Sequence, residues 1–255
     1  MATATQSQSL PRTEERAGSR RATHLNWATV RTYLGVAVIV IWGLAPAFWM
    51  VVTSFRPIAY TFETSPLPTH WTLDNYRTAF STKLGNHFGQ DLLNSLIIGV
   101  AVTVVAMAAG VFCAYALARL EFRGKYVLLG LILGASMFPA VALVSPLFQL
   151  FTNIHWIGKY QALIILPLAA PGLFTTAILA FIAAWNEFLL ASQLSSEKTQ
   201  PVTVAIANFT GSQPHQEPYT AIMAAGTIIT IPLILMVLLL QRKIVAGLTA
   251  GSVKG

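Results

Sequence analysis

The 255 residues are 55% hydrophobic and only 10% charged, with a mean hydropathy of +0.63. Soluble domains are about a quarter charged, so this balance excludes an ordinary soluble domain and points to a membrane protein. Lys and Arg outnumber Asp and Glu by 16 to 9, a net charge of +7, yet the basic residues lie at the edges of apolar runs instead of forming one patch. That pattern fits topology-setting charge rather than nucleic-acid binding.

Residues 1–31 are polar and carry Arg12, Arg16, Arg20, Arg21 and Arg31; they read as a disordered basic tail on the cytoplasmic side. A cleaved signal peptide fits poorly, because the next apolar run is too long and no small-residue cleavage site follows it. Five stretches then have the length to span a membrane: Thr32 to Phe55, Leu92 to Ala118, Tyr126 to Gly158, Tyr160 to Ser192, and Pro218 to Gln241. The runs are continuous rather than alternating, so helices are expected and a barrel is not. The transmembrane domain is 32–241, and 242–255 reads as a cytoplasmic C-terminal tail. Pro139, Pro146, Pro167, Pro171 and Pro232 interrupt the spans, either as kinks or as breaks lining a cavity. Trp42, Trp49, Trp156 and Trp185 lie near predicted span ends or within the spans, and an interfacial aromatic belt accounts for the end-lying ones.

The charges assign sides. The tail, the tight loop RLEFRGK (119–125) and the C-terminus are basic and belong inside; 56–91 and 188–217 are balanced or nearly uncharged and belong outside. The C-terminus lies inside only if the number of crossings is even, and five spans give an odd number. Tyr126 to Leu190 is too short for three crossings of ~20 residues each. The chain is therefore one span short of a consistent topology, with the defect near Gln161 to Pro167.

Cys113 stands alone, no Cys/His spacing matches a metal site, and the histidines are scattered over tails, loops and span edges. Gly124–Lys125 and Gly158–Lys159 lack the preceding glycine of a phosphate loop, so ATP chemistry belongs to another protein. The spans hold no paired acids and no Ser/His arrangement, so no enzyme and no cofactor are expected. Glu187 is the acid closest to a span interior, flanked by Trp185 and Asn186. A carboxylate, an amide and an indole suit a sugar's hydroxyls and its apolar ring face; the alternative is a carboxylate marking the outer end of a helix. Asn94 and Ser95 need no more than capping or helix–helix hydrogen bonding. Gly130 and Gly134 form a small-xxx-small packing pattern.

Several stretches resemble the inner-membrane permease subunits of bacterial carbohydrate ABC importers of the maltose and trehalose class. They are SPLPTHWTLDNYRTAF (65–80), LLNSLIIGV (92–100), ALARLEFRGK (116–125), MFPAVALVSPLFQLF (137–151), LPLAAPGLFTTAILAFIAAWNEFLLA (166–191), PVTVAIANFTGS (201–212) and QRKIVAGLTAGSVKG (241–255). The resemblance implies an all-α polytopic transmembrane bundle of the ABC importer permease type in the bacterial cytoplasmic membrane. It implies import of trehalose or another oligosaccharide beside a second permease, two ATP-hydrolysing subunits and an extracytoplasmic sugar-binding protein. It implies that the tail residues Gly247, Leu248, Thr249 and Lys254 reach the ATPase pair. Members of the family have six spans and, between the fourth and fifth, a cytoplasmic EAA-type loop that docks on the ATPase. Here QALII runs directly into LPLAAP, so the fourth span and that loop are absent. Two other readings stand beside this one: a coupling-defective remnant of such a permease, and a secondary transporter acting alone.

Overall fold

The computed structural model describes residues 27–136, 140–169, 177–209 and 218–250. These residues form ten α-helices with three short 3-10 turns: α1 Trp27–Ser54, α2 Asp74–Ala79, α3 Phe88–Arg119, α4 Lys125–Ser136, α5 Val144–Asn153, α6 Tyr160–Ala169, α7 Ala177–Trp185, α8 Leu189–Leu194, α9 Val202–Ala207 and α10 Tyr219–Ala250. The chain divides into two units, one ending at Leu44 and one beginning at Ala45. In the first, the described segment is the start of α1, an apolar helix exposed along almost its whole length. The remaining elements belong to the second unit.

Among the described residues, three helices are long and apolar enough to cross a membrane: α1, α3, and α10 over Tyr219–Leu239. At ~1.5 Å per residue, the 32 residues of α3 extend about 48 Å, well beyond a ~30 Å hydrocarbon core. These match the first, second and fifth predicted spans. α10 continues to Ala250, so residues 242–250, expected to be a tail, are helical. The two middle spans are not single helices. The third comprises α4, a 3-10 turn at Ala140–Leu143 and α5. Pro146 falls in the first turn of α5, where a missing N–H leaves no helical bond unmade; Pro139 lies outside the described residues. The fourth is split into α6 and α7, of ten and nine residues, each about half the length a crossing requires. Pro167 lies inside α6, and Pro171 lies outside the described residues.

The packing of α6 and α7 on α3 reveals their direction. At the start of α6, the Tyr160 hydroxyl donates to Asn94 Oδ1 at 2.6 Å. Ala162 and Leu163, next along α6, join Ile98 and Val102 in one core cluster. So α6 runs alongside α3 in the same direction, away from the Phe88 end. On α7, Phe181 lies against Gly99, while Trp185 packs in the cluster that holds Phe88. So α7 runs back toward that end. α6 and α7 therefore lie in opposite directions beside the first half of α3. Gly99 makes this fit possible: a Cβ there would stand 2.8 Å from Phe181 Cε2.

The Phe88 end is also where the polar groups concentrate. Following α1, Arg56 is fully buried and donates to the carbonyls of Glu63 and Ser65. Its guanidinium lies 4.8 Å from the centre of the Trp49 ring, a cation–π arrangement. Asn75 Nδ2 donates to the carbonyls of Ser54 and Arg56 at 2.8 and 2.7 Å. The Ser54 and Tyr76 hydroxyls meet at 2.7 Å. These bonds fold the 56–76 loop back over the end of α1 and seat α2. A hydrogen bond from Thr69 holds the Glu63 carboxyl below its ordinary range, with Ser65 and the Arg56 charge acting in the same direction.

Candidate functional site

The first turns of α3 carry a row of side chains that clamp the loop before α9. Gln90 Nε2 donates to the Lys198 carbonyl at 3.0 Å. Asn94 Nδ2 donates to the carbonyls of Lys198 and Gln200 at 3.1 and 3.0 Å, and its Oδ1 accepts from Tyr160. Ser95 Oγ accepts the Val202 N–H at 2.7 Å. Asn94 and Ser95 are both buried; every interaction they make is structural, in keeping with the helix–helix bonding expected from their place at a span start. The same loop is fastened to the start of the 160s. Gly158 N–H donates to the Leu194 carbonyl at 2.7 Å, and the Gly158 carbonyl accepts from the Ser196 and Thr199 hydroxyls at 3.3 and 3.2 Å. Gly158 has φ +76°, a backbone conformation that residues with a Cβ rarely adopt.

The predicted sugar-binding trio diverges. Trp185 is 1% exposed and stacked on Phe181, with no partner for its indole N–H among the described residues. Asn186 is exposed and its Nδ2 donates to the Ile182 carbonyl one turn back, at 2.9 Å. Glu187 Oε1 accepts the Leu190 N–H at 3.0 Å and so caps the first turn of α8. Glu187 does border a cavity with Ile98, Leu163, Pro167 and Ala184, but its volume is only about 10 Å³, about enough for one water at most. Of the residues expected to touch partners, Gly247, Leu248 and Thr249 lie in the last turns of α10; Lys254 lies outside the described residues.

Two buried charged residues were not singled out as candidates from the sequence. Arg56 and Asp91 stand at the ends of apolar runs, where a charge at the membrane surface looks the same as one folded inward. Asp91 is 1% exposed, and its Oδ1 has no hydrogen-bond partner among the described residues. It borders a cavity of about 190 Å³ together with Asn86, His87, Gln200, Asn208 and Phe209. The only signal in the sequence was an acid one turn ahead of Asn94–Ser95, and composition gives that position no special weight. Among the described residues no group of three or more His, Cys, Asp or Glu is placed to hold a metal ion.

Comparison with known proteins gives a consistent answer. Residues 158–249 match the family described as binding-protein-dependent transport system inner membrane component. The chain is 39% identical to the trehalose transport system permease protein SugB of Mycobacterium tuberculosis, with 93% of this chain and 100% of that protein covered. It is 37% identical to the trehalose/maltose transport system permease protein MalG of Thermococcus litoralis, covering 87% and 95%. The fold resembles that of a bacterial ABC transporter chain involved in import of the acidic polysaccharide alginate, with a TM-score of 0.65 at 18% identity over 85% of this chain and 95% of that one.

The alignments carry a deficit. Coverage of 93% of 255 residues is about 237, so roughly 46 of the 283 positions aligned with SugB have no residue here. With MalG, 87% is about 222, leaving roughly 47 of 269. That is the size of one ~20-residue span with a loop of similar length. The fold, the family match and the two relatives together place this chain in the family of multi-pass inner-membrane permease subunits of carbohydrate ABC importers.

Proposed function

We propose that this chain is the membrane-spanning half of a sugar importer that has lost the span and loop through which an ATP-hydrolysing partner would drive it. It inserts with four crossings and with both ends in the cytoplasm. The observation that carries this reading is the course of α6 and α7, which descend and return beside the first half of α3. A re-entrant pair adds no crossing. α1, α3, the α4–α5 segment and α10 then supply the even number that the basic termini require.

In the intact arrangement, a second permease, two ATPases and an external sugar-binding protein would complete the machine, and sugar, trehalose or a related oligosaccharide, would pass between the permeases. Asn186 and Glu187 would border that path where α7 ends, with Trp185, buried against Phe181, holding them in place. Gly247, Leu248, Thr249 and Lys254 would face the ATPases. A stand-alone secondary transporter would need intramembrane ionisable groups to couple ions, and Glu187 is engaged as a helix cap.

A C-terminal reporter fusion, together with sugar uptake in cells where this chain replaces an intact permease, tests the proposal. The C-terminus is expected inside and uptake at background. Inserting the absent segment of about 46 residues from the SugB relative is expected to restore uptake. An external C-terminus, or full uptake by the unaltered chain, would overturn it.

A further inference from the structure

We infer that the open groove between the end of α1 and the start of α2 holds the headgroup of a zwitterionic phospholipid from the outer leaflet. The phosphate meets Arg77 and the ammonium meets Asp74. This site goes beyond the transport reading and depends on neither the sugar nor the absent segment; it requires only that the chain sits in a bilayer.

The walls of the groove carry the inference. Phe55, Trp71 and Leu73 form the apolar side of a groove of about 480 Å³, and Thr72, Asp74 and Arg77 form its polar side. Arg77 Nη1 and Asp74 Oδ1 stand 3.2 Å apart, and both side chains are exposed. An exposed bridge of this kind stabilises a fold little, so its two charges are open to a ligand. Arg77 uses Nη1 on Asp74, and the rest of its guanidinium fork has no partner among the described residues. Asp74 accepts from the Thr72 hydroxyl on Oδ2 and keeps further acceptor positions, since each carboxylate oxygen has more than one lone pair. A zwitterionic headgroup presents the converse pair, a phosphate that accepts and an ammonium that donates, joined by a short ethyl link. An anionic headgroup would satisfy Arg77 and be repelled by Asp74, so the overall neutral pair is the better match.

The location commits the groove to lipid. Phe55 follows the last residue of α1, where the charge-free run from Thr32 ends. The Thr72 N–H donates to the Phe55 carbonyl at 2.9 Å, and the Phe55 ring centre lies 5.6 Å from that of Trp71 and 5.4 Å from that of Tyr76. The groove is thereby fixed to the level at which the chain leaves the hydrocarbon core, and lipid headgroups stand at that level. Trp71 is 64% exposed and Leu73 58%. On a loop standing clear of the membrane, water would surround both; at the interface they pack on the glycerol and the upper acyl chain, as Trp does at membrane surfaces. A soluble phosphate would use Arg77 alone and leave these apolar walls wet.

The test uses the full chain in detergent, with phosphatidylethanolamine and phosphatidylglycerol as probes and native mass spectrometry to count retained lipid. Saturable retention that favours phosphatidylethanolamine is expected. Arg77→Gln should weaken that retention about fivefold. Asp74→Asn should weaken it to a similar extent without weakening phosphatidylglycerol, a split that a general loss of structure would not give. Trp71→Ala should weaken both lipids. Lys83→Gln removes the same charge at an exposed position outside the groove and should leave retention unchanged. The Arg77 and Asp74 side chains are exposed, so neither substitution opens a buried contact. Equal retention of the two lipids overturns the site, as does a fall at Lys83→Gln equal to that at Arg77→Gln. Displacement by free phosphoethanolamine at the lipid's own concentration also overturns it, because the apolar walls would then contribute nothing.

Discussion

The two ends of α3 differ in what they face. From Phe88 to Gly110 one side of the helix is buried, first by the polar clamp on the 198–202 loop and then by α6 and α7. Beyond Gly110, Val111, Phe112 and Tyr115 are exposed, Phe112 by 74%, and the start of α4 is bare at Tyr126 and Val127. The first half is held as a protein interior is held; the second presents itself as a lipid- or partner-facing surface does. The contrast teaches that the Phe88 end holds itself together through side-chain bonds to backbone carbonyls and N–H groups, whereas the far half of α3 leaves its apolar side chains uncovered by the described residues.

If that contrast is right, substitutions at the Phe88 end should be felt in the isolated chain in proportion to the number of buried groups they orphan. Arg56→Ala strips donors from two carbonyls and removes a stacked cation. We expect a loss of about 3–5 kcal/mol in detergent-unfolding measurements; a change below about 1 kcal/mol would show that the 56–76 loop is not held by this residue. Asn94→Leu leaves the Lys198 and Gln200 carbonyls and the Tyr160 hydroxyl without their partner. It should cost about 3 kcal/mol and raise proteolysis at 194–200. Gly99→Ala places a methyl against Phe181 and should cost about 1–3 kcal/mol through overpacking, whereas Gly130→Ala, on α4 with nothing within 4 Å of the new carbon, should be neutral or slightly stabilising. Similar losses at both glycines would erase the distinction between the two ends. The smallest effect belongs to Glu187→Ala, about 1 kcal/mol for a lost cap. A fall in sugar uptake by the segment-restored chain, with stability unchanged, would return Glu187 to the transport path.

Much of the bundle was legible beforehand, for a definite reason. Hydropathy summed over ~20 residues is a local property, so α1, α3 and α10 were visible as runs, and Asn94 and Ser95 were read correctly as bonding groups at a span start. The topological conflict was also visible, because loop charges are countable. The fate of Tyr160 to Trp185 was not. Its composition suits a crossing helix, and its return depends on Tyr160 finding Asn94 and on Phe181 finding the gap at Gly99, contacts between residues more than sixty positions apart. Arg56 and Asp91 were hidden for a related reason: a charged residue at the edge of an apolar run reads as interfacial, and only the path of the loops beside it turns it inward.

From the residues alone came the membrane class and the helical architecture, since each is a sum over neighbours in the chain. Only the tertiary structure decided that the fourth apolar stretch turns back beside α3, and that an acid at its head is sealed beside a cavity. Both outcomes depend on which distant groups meet across the bundle.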